Sequence, residues 1–330
     1  MTSPPRVLRR FIINLLVIFP ATLVLLIVLV NTIQPTTKPS ASDPAPSLAS
    51  AYHPAKDFNA YWYDNKAELN RYELSQARYG EIREGEAVLI FVTEHHDPAK
   101  HLKTNNESGN DIPVMKLNHV RKFQTGIYPY STMSSVFTPV NVSDNPNSLR
   151  TSFSSQEWCG QVWSILDLRG SQYRGQVNSY FLDEGDFGVS LEAVLLEDEV
   201  FNRLRIDPAS LPEGEISIIP AQLHLRLMHK EYRIYHADAK HSRTTGGNGE
   251  KLSTYEIAYT DLDRTVTITY ETDFPRMITG WEETHKDGFG ANARELTTTA
   301  RLANSMMLDY WRRNSVADTV FQIQFGTTGN

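Results

Sequence analysis

Cysteine is almost absent from this 330-residue chain: Cys159 stands alone. One cysteine cannot pair within the chain, so a disulfide-stapled fold is excluded. An excess of basic residues is absent too. Lys and Arg number 32 against 39 Asp and Glu, for a formal net charge of −7. That balance speaks against a nucleic-acid binder. The sequence has no His-Glu-x-x-His segment, no paired-Cys motif and no Gly-rich loop between a strand and a helix. The usual zinc and nucleotide signatures are therefore missing. What is present is 40% hydrophobic and 10% aromatic residues, enough to build a core.

The longest apolar run is N-terminal. Phe11 to Val30 reads FIINLLVIFPATLVLLIVLV and carries no charge. A helix of that length spans roughly 30 Å, the thickness of a bilayer core. Pro20 should kink it, which membranes tolerate when neighbouring groups recover the freed carbonyl. Arg6, Arg9 and Arg10 precede the run, and no charged residue follows before Lys38. The positive-inside rule then keeps the N-terminus cytoplasmic and sends the rest across. A cleaved signal peptide has a shorter apolar stretch and a small-residue cleavage site, and Asn31-Thr32-Ile33-Gln34 is a poor one. The expectation is an uncleaved signal anchor in a cytoplasmic membrane, with the bilayer as its partner through residues 11–30. Without the basic tail, the remainder carries −10 against the whole chain's −7.

Four segments follow. Residues 1–10 are a basic cytoplasmic tail and residues 11–30 the transmembrane anchor. Residues 31–56 hold Pro35, Pro39, Pro44, Pro46 and Pro54, the composition of an extended linker. Residues 57–330 form a single domain, periplasmic or extracellular, with no second linker and no internal repeat.

The domain reads as mainly β with a few helices, an α+β chain built on a large curved antiparallel sheet or open barrel. Ala87 to Val92 is an unbroken apolar run, as expected for a strand covered on both faces. Tyr255 to Tyr259, Thr265 to Tyr270 and Met277 to Glu283 predict a three-strand meander. Val114 to Lys122 with Ile127 to Phe137 predicts one hairpin. Gln161 to Leu168 with Gln176 to Leu182 predicts another. Helices are expected over Asp57 to Lys66, over Ser190 to Leu204 with Ser190 as cap and Asp207-Pro208 as stop, and from Ser315 to just before Gly326.

Candidate chemistry is sparse. Cys159 lies in Ser154-Ser155-Gln156-Glu157-Trp158-Cys159-Gly160, and Gln near Cys-Gly suggests a thiol hydrolase. A nucleophilic cysteine needs a lowered pKa and a nearby base. This segment reads as strand, where a lone cysteine is usually a small buried apolar residue. Glu157, Glu282 and Glu283, beside Trp158 and Trp281, are the carboxylates to watch for glycoside chemistry. Tyr128, Tyr130, Trp158, Trp163 and Trp281 are candidates to line a ligand pocket, though an ordinary β core uses the same residue types. His224, His229, His236 and His241 cluster in sequence. Leu223, Leu225 and Leu227 suggest a strand there, which sends His224 and His229 to opposite faces. A helix would also separate them, by roughly 140°. His95 and His96 splay apart as well. No metal site and no cofactor is expected. Glu197, Asp198 and Glu199 read as solvated acids.

Several blocks carry a resemblance. Gln76-Ala77-Arg78-Tyr79-Gly80-Glu81, Ala87 to Glu94, Ser154 to Gly160, Leu211 to Pro220 and Gly280 to Thr284 resemble an uncharacterised family of bacterial cell-envelope proteins. Leu296-Thr297-Thr298 and Tyr310-Trp311 extend it, so that it covers roughly Trp62 to Asp318. Members are sometimes labelled septum formation inhibitor Maf. Genuine Maf proteins are α/β nucleotide pyrophosphatases with a Ser-Pro-Arg-Arg-type segment, and Ser3-Pro4-Pro5-Arg6 matches it only superficially. The resemblance implies an envelope location and no catalytic residues.

The leading expectation is a non-enzymatic membrane-tethered β domain that binds an apolar ligand or an envelope protein. The alternatives are an envelope hydrolase using Cys159 or a carboxylate pair, and a purely structural interaction module.

Overall fold

The computed structural model describes residues 57–105 and 108–327. The basic tail, the apolar run at 11–30 and the linker through residue 56 lie outside the described residues. Among the described residues, no helix is long and apolar enough to cross a membrane.

The described chain is dominated by one 15-stranded sheet. β1 (Ala67–Arg78), β2 (Glu81–His96), β3 (Ile112–Thr125) and β4 (Tyr128–Pro139) are its long strands. β5 (Arg150–Glu157), β6 (Gly160–Arg169), β7 (Gln172–Ser179) and β8 (Phe187–Glu192) continue the meander to one edge. The two-residue β9 (Leu195–Leu196) forms the other edge and pairs in parallel with β10 (Gly214–Ile219). β11 (Tyr235–Thr245), β12 (Lys251–Tyr259), β13 (Arg264–Glu271), β14 (Ile278–Asp287) and β15 (Arg294–Leu308) return by antiparallel steps. β15 then pairs with β1 in the middle of the sheet, Ala67 opposite Leu308. Because neighbours alternate in direction, the turns fall on two opposite ends. The turns at residues 79–80, 126–127, 158–159 and 288–293 share one end. The start of β1, the end of β2 and the end of β15 share the other.

The predicted meander and both hairpins are present as β12–β14, β3–β4 and β6–β7. β2 is covered on both faces. Ala87, Leu89 and Phe91 join the main core. Val88, Ile90 and Val92 pack with Leu69, Met306 and Phe325 on the other side.

Among the described residues, four α-helices accompany the sheet. α1 (Phe58–Trp62) is shorter than expected, and beyond it Asn65 takes φ of 60°. The expected helix over Ser190 to Leu204 starts later. Residues 190–192 pair with β7 instead, and α2 runs over Glu197–Ile206. Ser190 is therefore no cap. The acids at 197–199 and the arginines at 203 and 205 place charge where the helix dipole favours it. Asp207-Pro208 ends the helix as expected. α3 (Gln222–Leu227) replaces the strand suggested by Leu223, Leu225 and Leu227. Pro220 lacks the N–H to continue β10, and Leu225 N then donates to Ala221 O at 3.0 Å. α4 (Thr319–Phe325) ends at Gly326, whose φ of 78° suits glycine.

α2 is buried almost all round. Phe201 and Leu204 meet the aromatic core with Tyr72, Tyr255 and Trp281. Asn202 Nδ2 donates to Met115 O at 3.0 Å on β3 and to Thr138 Oγ1 at 2.9 Å on β4. Tyr259 on β12 and Arg264 on β13 reach Glu197. Strands from both halves of the sheet therefore touch one helix.

Candidate ligand-binding cleft

The sequence candidates scatter over the fold. Cys159 is exposed in the turn between β5 and β6, which corrects the expectation of a buried strand residue. The physical reason is a tight turn: Cys159 N donates to Glu157 Oε2 at 2.6 Å. Glu157 also accepts from Tyr180 Oη at 2.8 Å. The hydrogen bond to Glu157 pushes the thiol above its ordinary pKa, so the thiolate is disfavoured. Glu282 sits on β14 with its side chain half exposed, 3.9 Å from Arg301.

The aromatic candidates do not share one pocket wall. Tyr128 lies 6.4 Å from Trp158 between ring centres, and Trp158 is exposed. Tyr130 stacks on Phe123 at 4.9 Å. Trp163 is exposed on β6, and Trp281 is buried beside Tyr72 and Phe201. The four clustered histidines also separate. His224 meets His285, His229 meets Glu184, His236 lies 3.7 Å from Asp261, and His241 packs on Tyr255. Among the described residues, no group of three or more His, Cys, Asp or Glu side chains is placed to hold a metal ion. His95 and His96 do point to opposite faces of β2, and His96 is buried.

Buried ion pairs sit within the apolar core around α2. The solvated reading of residues 197–199 is corrected: Glu197 and Glu199 are buried. Buried charge persists when it is paired, and each has an arginine. Arg264 Nη2 donates to Glu197 Oε1 at 2.6 Å and to Glu283 Oε2 at 3.2 Å. Arg121 Nη2 donates to Glu283 Oε1 at 2.6 Å, and its Nε donates to His119 Nε2 at 3.0 Å. Burial alone would raise the Glu283 carboxyl, but Arg121 and Arg264 drive it well below the ordinary range. His119 is held neutral, first by burial and then by the Arg121 charge. Asp198 has no arginine partner. Burial, reinforced by Glu197, lifts its carboxyl from 3.8 to about 7 against a hydrogen bond from Gln222. The void that His119, Arg121 and Asp198 border is only about 20 Å³, room for roughly one water.

A larger space opens where β1 begins and β15 ends. This cleft of about 380 Å³ is bordered by Tyr63, Lys66, Glu94, Lys103, Lys116 and Trp311, among others. Its residues come from five places in the chain. Thr93 Oγ1 donates to Trp62 O at 2.6 Å and ties α1 to β2. Lys116 on β3 stands opposite Val92. The chain leaving β15 brings Tyr310 against Trp311, 5.4 Å between ring centres. Glu94 forms the floor: its side chain is only 6% exposed, yet it receives Lys116 Nζ at 2.5 Å and Lys103 Nζ at 3.1 Å. His96 Nε2 lies 3.6 Å away, a polar contact too long for a hydrogen bond. Burial alone would raise the Glu94 carboxyl. His96 and Lys116 outweigh it and hold it at about 2. Lys66 pairs with Asp64 at 2.9 Å. The sequence reading did not assemble these residues. Its one signal was Glu94, a charge closing the apolar run of β2.

No protein-family model matches the sequence. No curated protein matches it either. A solved structure similar to the chain is a porin-like protein from Bacteroides uniformis ATCC 8492, with 11% identity over 72% of this chain and 96% of that one. Its TM-score of 0.22 is too low for the likeness to bear on function.

Proposed function

We propose that the chain is a membrane-tethered binding protein, its sheet an open barrel that serves as scaffold and its ligand held in the cleft between Tyr63, Lys103 and Trp311. The single observation that carries this reading is the contrast between the two spaces. Beside α2 and its ion pairs, the void that His119, Arg121 and Asp198 border has only about 20 Å³. The cleft has about 380 Å³, within the size range of small-molecule sites. Its lining mixes aromatic faces with hydrogen-bonding groups, the usual composition of such sites. The tether in this proposal is the uncharged run at 11–30, with the domain outside the cytoplasm.

The hydrolase alternative finds less support. The Cys159 thiol is stabilised in its protonated form, and Glu94 in the cleft is too acidic to donate a proton near neutrality.

The test is ligand binding by the full chain in detergent, followed through tryptophan fluorescence. Trp311→Ala should abolish any saturable response, while Trp163→Ala on β6 should leave it intact. A response that survives Trp311→Ala unchanged would move the site elsewhere. Alkaline washing of membranes checks the tether: the full chain should stay with the bilayer fraction.

A further inference from the structure

We infer that the cleft binds a saccharide bearing a carboxylate or phosphate group, a ligand class that rests on the cleft being the binding site. The inference starts from charge. The chain is acidic overall at −7, yet three lysines border this one cleft. Lys66 is matched by Asp64, but Lys103 and Lys116 share the single carboxylate of Glu94. Among the described residues one positive charge is left over, and the Lys103 side chain that carries it outward is 62% exposed. An ammonium group so placed favours an oxyanion.

The rest of the lining selects what carries that anion. Tyr63 and Trp311 are 39% and 43% exposed, so flat apolar faces border the same space. Asn65, Lys66, Thr104 and Lys116 place hydrogen-bonding groups around it. A lipid chain would leave those polar groups unpaired, which is costly. A bare inorganic anion would leave the rings unused. A sugar ring presents C–H faces to aromatics and hydroxyls to donors, and its acidic substituent meets Lys103. Glu94, held ionised by its neighbours, then accepts hydrogen bonds from sugar hydroxyls and orients both lysines.

Calorimetry on the full chain in detergent tests this with five probes: oligogalacturonate, neutral galacto-oligosaccharide, glucose 6-phosphate, inorganic phosphate and a nucleoside monophosphate. One or both acidic saccharides should bind at least about tenfold tighter than their neutral counterpart, and which one does so separates carboxylate from phosphate. Lys103→Ala should erase that preference, and raising the salt should weaken it. Equal binding of neutral and acidic saccharides, lost in Trp311→Ala, would overturn the charge inference and leave the cleft as the site. Inorganic phosphate or the nucleotide binding as tightly as the acidic saccharides would overturn the saccharide assignment. Binding that ignores both Lys103→Ala and Trp311→Ala would overturn the cleft reading as well.

Discussion

Replacing Asp198 with asparagine tests an α2 carboxylate that, among the described residues, forms no ion pair with an arginine. Asp198 lies in the first turn of α2, where the helix dipole favours an anion by about 1 kcal/mol. Burial and the neighbouring Glu197 win, and the carboxyl titrates at about 7 rather than 3.8. A group that titrates higher when folded binds its proton more tightly in the folded state. Its contribution to stability is intact below the unfolded value and is lost as pH rises through the folded one. The full shift is worth about 4 kcal/mol, and the part lost between pH 5 and pH 8.5 about 2.7 kcal/mol. Asparagine keeps the shape and drops the charge. The variant should therefore gain roughly 2–3 kcal/mol on the parent protein between pH 5 and pH 8.5. The assay is urea unfolding of both full chains in mild detergent at the two pH values. Groups common to both proteins, including Glu94 and Glu283, cancel in the comparison. If the gap between variant and parent is the same at both pH values, Asp198 does not titrate in that window. The buried setting of its carboxyl would then be refuted.

Other perturbations test other joints. Glu68 and Arg205 are both fully buried and bonded, so Glu68→Gln leaves a charge without its partner. It should cost roughly 3–5 kcal/mol in the same unfolding assay, whereas a loss below 1 kcal/mol would mean that water reaches Arg205. Gly288 has φ of 95°, and a Cβ there would sit 2.8 Å from Asn292 O and 3.0 Å from Gly80 Cα. Gly288→Ala should destabilise by more than about 1 kcal/mol, visible as a lower unfolding midpoint. Cys159 should react with iodoacetamide more slowly than free cysteine at pH 8, and Glu157→Gln should speed it; mass spectrometry of timed samples reads both rates.

Local pattern carried much of the fold. Alternation at Val266, Ile268 and Tyr270, and turn residues at Thr125-Gly126 and Arg169-Gly170, marked strands that the sheet contains. Each of those signals is local, and antiparallel neighbours in this sheet are mostly consecutive in sequence. The closing pair, β1 with β15, has no such signal, because its partners lie over 200 residues apart. The failures have different causes. Glu197 looks solvated in sequence because its arginine arrives from β13, and Glu199 because its pairing with Arg203 depends on the helix forming. His224 sits among leucines at strand-like spacing, yet Pro220 ends the ladder and the backbone turns helical. The cleft escaped because its parts are far apart in sequence. Lys116, Glu94 and Trp311 become neighbours only after β3 has paired with β2 and the chain beyond β15 has passed the end of both.

The ion pairs of α2 bear on why the interior holds charge at all. Replacing a buried pair by well-packed apolar residues is often neutral or stabilising, so Glu197–Arg264 and Glu68–Arg205 are poor candidates for the main source of stability. Their geometry points to placement instead. Glu197 reaches β12 and β13, Arg205 reaches β1 and the carbonyl of Pro275, and Asn202 reaches β3 and β4. An apolar helix could slide or rotate inside a sheet of 15 strands with small loss of contact. A helix that must match these six polar partners has one register. Fixing α2 against these strands fixes their positions relative to one another. The strand ends at Glu94, Lys116 and Leu308 are then held at one spacing, and that spacing sets the width of the cleft. On this account, paired apolar replacements such as Glu197→Leu with Arg264→Leu should leave the unfolding free energy within a few kcal/mol. They should nonetheless weaken binding in a cleft whose own residues are untouched. Binding that is unaffected in a stably folded double variant would break the link between the interior and the cleft.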